Sequence, residues 1–325
     1  MSIVSRLYHR FLQFGALRLI WEYVKLGAFG EFLKQGFAVV RKKQTIPEAY
    51  SKIQAKVAPH IKKRYESLLL KLLEKYKQSK QINEKSNKVW FSWLQGMEVA
   101  PDIVKVCYAS LQRYIKDKEI VVITQENMGK YVTFPEHIQK KYEKGVIPMA
   151  HFSDLLRLEL LTRYGGTWID ATVLCTGFDT LKTKDIKKCL DADLFLFQYL
   201  KRGDEKFNGI SSWFISASSN QKMLLILRDM LYQYWKDYDC VVAYFILHIF
   251  FTMMAEKMPE EVMKMPKKSN RYCFYLEHRL SDEYDDTWMD ELTSRCCFHK
   301  LNVRLWKGAE GNPNSFMYKI KELYQ

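Results

Sequence analysis

The chain has 325 residues, of which 48% are hydrophobic and 27% charged, and its formal net charge is +14. This composition excludes an intrinsically disordered chain and is typical of a globular protein with a full apolar core. The seven cysteines form no CxxC pair, which argues against a disulfide framework or a structural zinc site and favours reduced thiols in a cytosolic protein.

The start of the chain has no signal-peptide pattern, because charged residues interrupt its apolar residues. No apolar run reaches the ~18–20 residues that a transmembrane helix needs. The best candidate, residues 241–255, is predicted to be a core helix. We therefore expect a cytoplasmic protein that does not cross a membrane.

The excess positive charge lies in the N-terminal third. Residues 1–90 contain 19 lysines and arginines against 6 acidic residues, a net charge of +13. Residues 2–40 are predicted to be helical, with breaks at Gly27, Gly30 and Gly36, because apolar residues recur on one helix face. The segment Thr45-Ile46-Pro47-Glu48 has the form of a capping box and predicts a second helix that runs to about Lys80.

These basic helices favour an anionic membrane surface as a partner over nucleic acid, since they combine an aromatic face with no RNA-binding motif. The alternative is that they only cover the rest of the protein. The polar stretch 78–88 is predicted to be a linker, which divides the chain into a basic helical extension (1–87) and a second domain (88–325). The aromatic residues that support the membrane interpretation are Phe11, Phe14, Trp21, Phe32 and Phe37.

From Val89 onwards strands and helices alternate, which predicts an α/β domain with a mostly parallel sheet flanked by helices. The chain contains no GxGxxG motif and no P-loop, so phosphate groups would be held by something other than a glycine loop. Strands are predicted at 89–94, 119–124, 167–171, 193–200 and 212–217, and helices at 101–115, 135–143, 148–164 and 220–234.

The most informative stretch is residues 151–173, HFSDLLRLELLTRYGGTWIDATV. Asp154 and Arg157 are three residues apart and lie on the same helix face. Gly165-Gly166 ends the helix where a positive φ is needed, and is predicted to let the backbone approach a ligand closely. The short apolar strand that follows delivers Asp170 to its C-terminal edge, where open α/β sheets bind their ligands.

Ser153-Asp154-x-x-Arg157, followed by Tyr164-Gly165-Gly166-x-Trp168-x-Asp170, resembles the central block of nucleotide-sugar glycosyltransferases of the GT-A type. The likeness is to the bacterial capsular polysaccharide synthesis proteins, which are related to yeast-type mannosyltransferases and large clostridial toxin glucosyltransferases. It extends more weakly from about Lys88 to Lys307.

The resemblance implies a GT-A-like fold and a hexosyltransferase that uses a nucleotide-sugar donor. The acceptor would be a growing bacterial capsular or cell-wall polysaccharide, or a lipid-linked saccharide, at the inner face of the plasma membrane. Transfer would retain the anomeric configuration.

By the same resemblance, Asp170 would bind Mn²⁺ or Mg²⁺ and the diphosphate, because a carboxylate-held cation neutralises the leaving group as a Lewis acid. The family motif is often Asp-x-Asp, but here it is Asp170-Ala171-Thr172, which removes one carboxylate. Thr172 would then bind the metal through its hydroxyl or a water. Asp154 and Arg157 resemble the clamp that holds the donor sugar; the alternative is a structural ion pair.

Further residues are assigned to the nucleotide-sugar site by resemblance. Trp90 and Trp93, in WFSWLQGMEVAP, match the first strand and loop beside the nucleotide, where an aromatic ring would stack on the base. The alternative is that both are core tryptophans. Tyr164, Gly165 and Gly166 are placed in the same site.

The pair His299-Lys300 resembles the family's late histidine near the metal or diphosphate. His299 would complete the metal coordination and Lys300 would meet a phosphate. The alternative is a solvated pair at the start of a strand.

Two other functions remain open. The missing second carboxylate favours a non-catalytic nucleotide- or carbohydrate-binding scaffold of a polysaccharide synthesis complex. A sugar-phosphate transferase is the other, and it would release nucleoside monophosphate instead of diphosphate.

Overall fold

A computed structural model of the chain describes residues 16–41, 43, 45–78, 84–201 and 204–324. The strands are β1 (Lys88–Ser92), β2 (Glu119–Ile123), β3 (Gly166–Ile169), β4 (Val173–Cys175), β5 (Leu194–Lys201), β6 (Asp204–Ala217) and β7 (Phe298–Lys300). The α-helices are α1 (Ala16–Lys25), α2 (Phe29–Val40), α3 (Ile46–Gln78), α4 (Asp102–Tyr114), α5 (Met128–Tyr131), α6 (Glu136–Glu143), α7 (Met149–Tyr164), α8 (Leu181–Lys187), α9 (Lys222–Asp237), α10 (Ile246–Lys257), α11 (Pro259–Lys264), α12 (Asp286–Arg295), α13 (Val303–Gly308) and α14 (Phe316–Tyr324).

The chain forms two compact units that do not follow the predicted division at residue 87. The first unit contains the described parts of 1–80 together with 133–158 and 222–259. The second contains the described parts of 81–132 and 159–221, and residues 260 onwards. The N-terminal helices therefore share a compact unit with later segments of the chain.

The second unit contains a five-stranded sheet in the order β2-β1-β3-β6-β5. Strand β1 pairs in parallel with both β2 and β3, whereas β6 runs antiparallel to its neighbours β3 and β5. Four of these strands therefore share one direction. The predicted α/β class with a mostly parallel sheet is confirmed, and β3 is its central strand.

One face of this sheet forms the main core of the second unit. Alternate side chains of the strands, such as Phe91, Ile169 and Phe214, are fully buried against apolar residues of helix α4, including Ile103 and Leu111. This alternation follows from the two-residue period of a strand. These aromatic and aliphatic side chains pack against one another between the sheet and α4.

A second, two-stranded sheet consists of β4 and β7, which pair antiparallel with Val173 opposite Lys300 and Leu174 opposite His299. The turn before β4 is closed by a 3.1 Å hydrogen bond from the Val173 amide to the Asp170 carbonyl. This pairing of β4 with β7 is not predicted from the sequence. It fixes residues near 300 beside residues near 172.

The first unit is helical. The predicted capping box begins α3, since the Thr45 amide donates to Glu48 Oε2 over 2.7 Å. The buried face of α3 includes Val57, Ile61 and Tyr65, four residues apart, and the Tyr65 hydroxyl donates to Asp237 of α9 over 2.9 Å. Among the described residues, no helix is long and apolar enough to cross a membrane.

The predicted core helix at 241–255 is observed as α10, in which most side chains are buried. The N-terminal helical region is also observed where it is described. The predicted break is present at Gly27, which has a φ of +62°, but the predicted breaks at Gly30 and Gly36 are wrong, because both glycines lie within α2. Two of the aromatic residues of the membrane interpretation, Phe11 and Phe14, lie outside the described residues.

Candidate functional site

Asp170 directly follows β3, at the carboxyl end of the central strand of the five-stranded sheet. Its amide donates to the Trp213 carbonyl on β6 over 2.9 Å, which fixes the backbone. The indole Nε1 of Trp168 donates to Asp170 Oδ1 over 2.8 Å. The second carboxylate oxygen, Oδ2, lies 3.1 Å from the ammonium nitrogen of Lys300.

Lys300 also contacts Thr172, because its Nζ donates to Thr172 Oγ1 over 2.6 Å. The Asp170 and Lys300 side chains are 23% and 22% exposed, so the pair is only partly accessible to solvent. Asp170, Thr172 and Lys300 are called the Asp170 cluster below. Strand pairing between β4 and β7 positions this cluster, since it brings Lys300 beside the turn that carries Thr172.

His299 does not join the Asp170 cluster, although the resemblance placed it at the metal. Neighbouring residues of a strand point to opposite faces, and β7 directs Lys300 toward Thr172. The ring of His299 is fully buried and its Nε2 lies 3.0 Å from Thr176 Oγ1. Burial lowers the pKa of His299 to about 4, so the ring is neutral at physiological pH.

The described residues do not fit a tightly bound divalent cation. Mn²⁺ and Mg²⁺ prefer several oxygen ligands, commonly more than one carboxylate. The cluster has one carboxylate, both of whose oxygens already accept hydrogen bonds or an ion pair. Among the described residues there is also no group of three or more His, Cys, Asp or Glu side chains that could hold a metal ion.

The Gly165-Gly166 turn packs against protein backbone, so the prediction that it lets a ligand approach is corrected. The residues have φ values of +68° and +95°, which confirms the need for glycine. A Cβ on Gly166 would lie well within 3.0 Å of the Lys88 carbonyl oxygen, and a Cβ on Gly165 would meet the Ser219 amide. The glycines therefore allow β3 to lie tightly against its neighbours.

Trp90 is a core residue, which corrects its assignment to the nucleotide base. The side chain is fully buried, and its Nε1 donates to the Gly165 carbonyl over 2.8 Å. The rings of Tyr131 and Tyr164 each lie 5.6 Å from the Trp90 ring, measured between centroids. The Tyr164 hydroxyl donates to the Tyr131 carbonyl, so Tyr164 belongs to the same packing cluster.

Trp93 differs from Trp90, because it lies just after β1 and is only partly buried against the core. Its Nε1 atom is buried and has no hydrogen-bond partner among the described residues. A buried indole N–H usually finds an acceptor. Trp93 therefore remains a candidate for contact with a ligand, and the structure gives it more support than Trp90.

Asp154 and Arg157 lie in the first unit, on α7. Arg157 Nη1 donates to Asp154 Oδ1 over 2.7 Å, and Nη2 donates to Ser153 Oγ over 3.0 Å. The pair is largely buried, with Arg157 only 5% exposed. Nearby, burial and the positive charge of Arg157 lower the pKa of His248 to about 4. The predicted ion pair exists, and its role with a donor sugar stays a prediction.

His151, one turn before Asp154, is a packing residue. It is buried between the rings of Trp235 and Tyr244, whose centroids lie 5.6 and 5.9 Å away. Burial lowers its pKa to about 4. It therefore carries no charge that could meet a phosphate at neutral pH.

One acidic residue beside the cluster, Glu277, is not predicted from the sequence. Burial raises the pKa of Glu277, while the positive charge of Lys300 acts in the opposite direction. A perturbed carboxyl group near a charged cluster is a common mark of a functional site. No motif surrounds Glu277 in the sequence, so only the fold reveals its closeness to Lys300.

Comparisons with known proteins give one strong match. The family model described as capsular polysaccharide synthesis protein matches residues 38–320. Among solved structures, the chain is similar to one titled PaToxG Glycosyltransferase, with 13% identity and a TM-score of 0.37, over 71% of this chain and 95% of that chain. No curated protein sequence matches the chain. The family match starts within the N-terminal third, well before the predicted boundary at residue 88.

Proposed function

Because the chain belongs to the capsular polysaccharide synthesis protein family, we propose that it is a glycosyltransferase. It transfers a sugar from a nucleotide-sugar donor to a growing surface polysaccharide or to a lipid-linked saccharide. The observation that carries this proposal is the Asp170 cluster at the carboxyl end of the central strand, the edge where open α/β sheets bind nucleotides.

The chemistry of the cluster suits this reaction. Sugar transfer from a nucleotide donor requires stabilisation of the negative charge that develops on the departing diphosphate. The Lys300 ammonium is a hydrogen-bond donor with a full positive charge, and its position is set by Asp170 and Thr172. Asp170 orients this cation.

Replacement of Asp170 by asparagine tests the proposal. We expect turnover of the preferred donor to fall by about 10²–10³-fold, the range for loss of one preorganised electrostatic group. Release of nucleoside diphosphate from several nucleotide sugars measures it. Asp290→Asn is the matched control, because Asp290 is an exposed residue of α12, and it should keep full activity.

The assay also separates the alternatives. Unchanged turnover in a folded Asp170→Asn protein would remove Asp170 from the mechanism. Release of nucleoside monophosphate would identify a sugar-phosphate transferase instead. Binding of nucleoside diphosphates without turnover of any donor would favour the non-catalytic scaffold.

We also propose that the N-terminal helices bind the anionic inner face of the membrane, where a lipid-linked acceptor would be met. Helix α2 exposes Leu33, Phe37 and Val40, which are four and three residues apart and so share one face; Phe37 is 63% exposed. On α1, Trp21 is 60% exposed. Lys and Arg residues nearby would contribute about 1 kcal/mol each at an anionic surface.

Co-sedimentation with vesicles that contain an anionic lipid tests this part. The full chain should pellet at low salt and be released at high salt, whereas the double variant Trp21→Asp/Phe37→Asp should stay in solution. The control is Leu181→Asp, because Leu181 is 87% exposed on α8 in the other unit. Equal pelleting of all three proteins, or of none, would mean that these helices do not dock on the membrane.

A further inference from the structure

We propose that Lys300 supplies the positive charge that a divalent cation supplies elsewhere, so that this chain binds nucleoside diphosphates without a metal. The inference rests on the proposed function, because it concerns how the same cluster holds the donor diphosphate. It departs from the Mn²⁺ or Mg²⁺ that the Asp-x-Asp resemblance implied.

The composition of the Asp170 cluster supports a role for Lys300 in place of a metal. The position two residues after Asp170 holds Thr172, which is neutral and accepts a hydrogen bond from Lys300 over 2.6 Å. A second carboxylate at this position would instead be a metal ligand. The neutral Thr172 and the cationic Lys300 therefore belong to one arrangement, in which the ammonium contacts both Thr172 and Asp170.

The Lys300 ammonium lies where it would oppose a cation bound to Asp170. Its Nζ lies 3.1 Å from Asp170 Oδ2, and Trp168 Nε1 occupies the other carboxylate oxygen. A divalent ion on Asp170 would lie beside a like charge, and the two would repel strongly in a site that is about three-quarters buried. Metal binding at Asp170 would therefore require the Lys300 ammonium to move away from Asp170 Oδ2.

The Lys300 ammonium has enough N–H donors to bind a phosphate as well as its neighbours in the cluster. A lysine ammonium has three N–H donors. Among the described residues, Asp170 and Thr172 accept two of them, which leaves one for a phosphate oxygen.

The experiment measures binding of UDP and GDP by calorimetry, with EDTA and with Mn²⁺. We expect the wild-type chain to bind one of them with a Kd that changes less than about twofold between the two conditions. Lys300→Met should weaken binding in EDTA by about tenfold or more, as expected for one charge-assisted hydrogen bond. Lys307→Met is the matched control, since Lys307 is exposed on α13.

A second variant tests directly whether a metal ion can replace the Lys300 ammonium. Thr172→Asp/Lys300→Met restores two carboxylates and removes the ammonium, so its nucleotide binding should become Mn²⁺-dependent. Electron paramagnetic resonance of added Mn²⁺ should show bound metal in this variant and not in the wild-type chain. Thermal unfolding of each variant checks that the fold is intact.

The results that overturn the inference differ from those that overturn the proposed function. Wild-type binding that is lost in EDTA and restored by Mn²⁺ would show that the site uses a metal, while leaving the transferase proposal standing. Folded Lys300→Met protein with wild-type affinity would show that Lys300 does not meet the diphosphate. No binding of either nucleotide under any condition, together with no turnover of any donor, would remove both proposals.

Discussion

Replacement of Gly166 by alanine is expected to leave little folded protein. Its φ is +95°, a region that L-residues rarely adopt, and the added Cβ would lie well within 3.0 Å of the Lys88 carbonyl oxygen. That oxygen belongs to β1, which pairs with β3, so the clash cannot be relieved by rotation of a side chain. We expect a loss of more than about 4 kcal/mol in the free energy of unfolding, the range of severe single substitutions.

Soluble yield and chemical unfolding measure this effect. Gly30→Ala is the matched control, because Gly30 lies within α2 without a positive φ, and an added Cβ would have no atom of the described residues within 4 Å. Alanine there should leave stability unchanged or raise it by up to about 1 kcal/mol. A Gly166→Ala protein as stable as the control would show that β1 and β3 are not as close as described.

Replacement of Arg157 by alanine is expected to lower the free energy of unfolding by about 3–5 kcal/mol. Arg157 is 5% exposed and donates to Asp154 over 2.7 Å, so its loss removes an ion-pair partner from a largely buried carboxylate. Urea unfolding followed by circular dichroism measures the change. The double variant Asp154→Ala/Arg157→Ala should recover part of the loss, because it leaves neither charge uncompensated.

Lys140→Ala is the control for an ion pair that stabilises little. Lys140 pairs with Glu136 on α6, and both side chains are mostly exposed. Its loss should cost less than about 1 kcal/mol. If Arg157→Ala were no more harmful than Lys140→Ala, the Asp154–Arg157 pair would not contribute to the fold, and a role limited to ligand binding would be favoured.

Features that depend on local sequence could be predicted. The helix before Tyr164, the glycine turn and the strand that ends before Asp170 follow from periodicity and backbone preferences within a few residues. The capping box at Thr45 is equally local, and its reciprocal hydrogen bonds are observed. The position of Asp170 at a strand end follows from the same reasoning.

Features that depend on pairing between distant segments could not be predicted from the sequence. Thr172 and Lys300 are 128 residues apart, and only the register of β4 against β7 shows that Lys300, and not His299, faces the cluster. The sequence likewise indicates that Gly166 needs a positive φ without showing that its close neighbour is Lys88. The same limit applies to α3, which packs on α9 through contacts such as Tyr65 with Asp237.

The ion pair between Asp170 and Lys300 also constrains how the chain can change by single substitutions. Loss of Lys300 alone removes a 3.1 Å ion pair from a partly buried carboxylate, and a carboxylate gained at Thr172 alone meets an ammonium already in place. The first change removes an ion pair and the second places the ammonium between two carboxylates, so neither change alone gives a site with two free carboxylates. We therefore expect the residues at positions 172 and 300 to vary together among relatives.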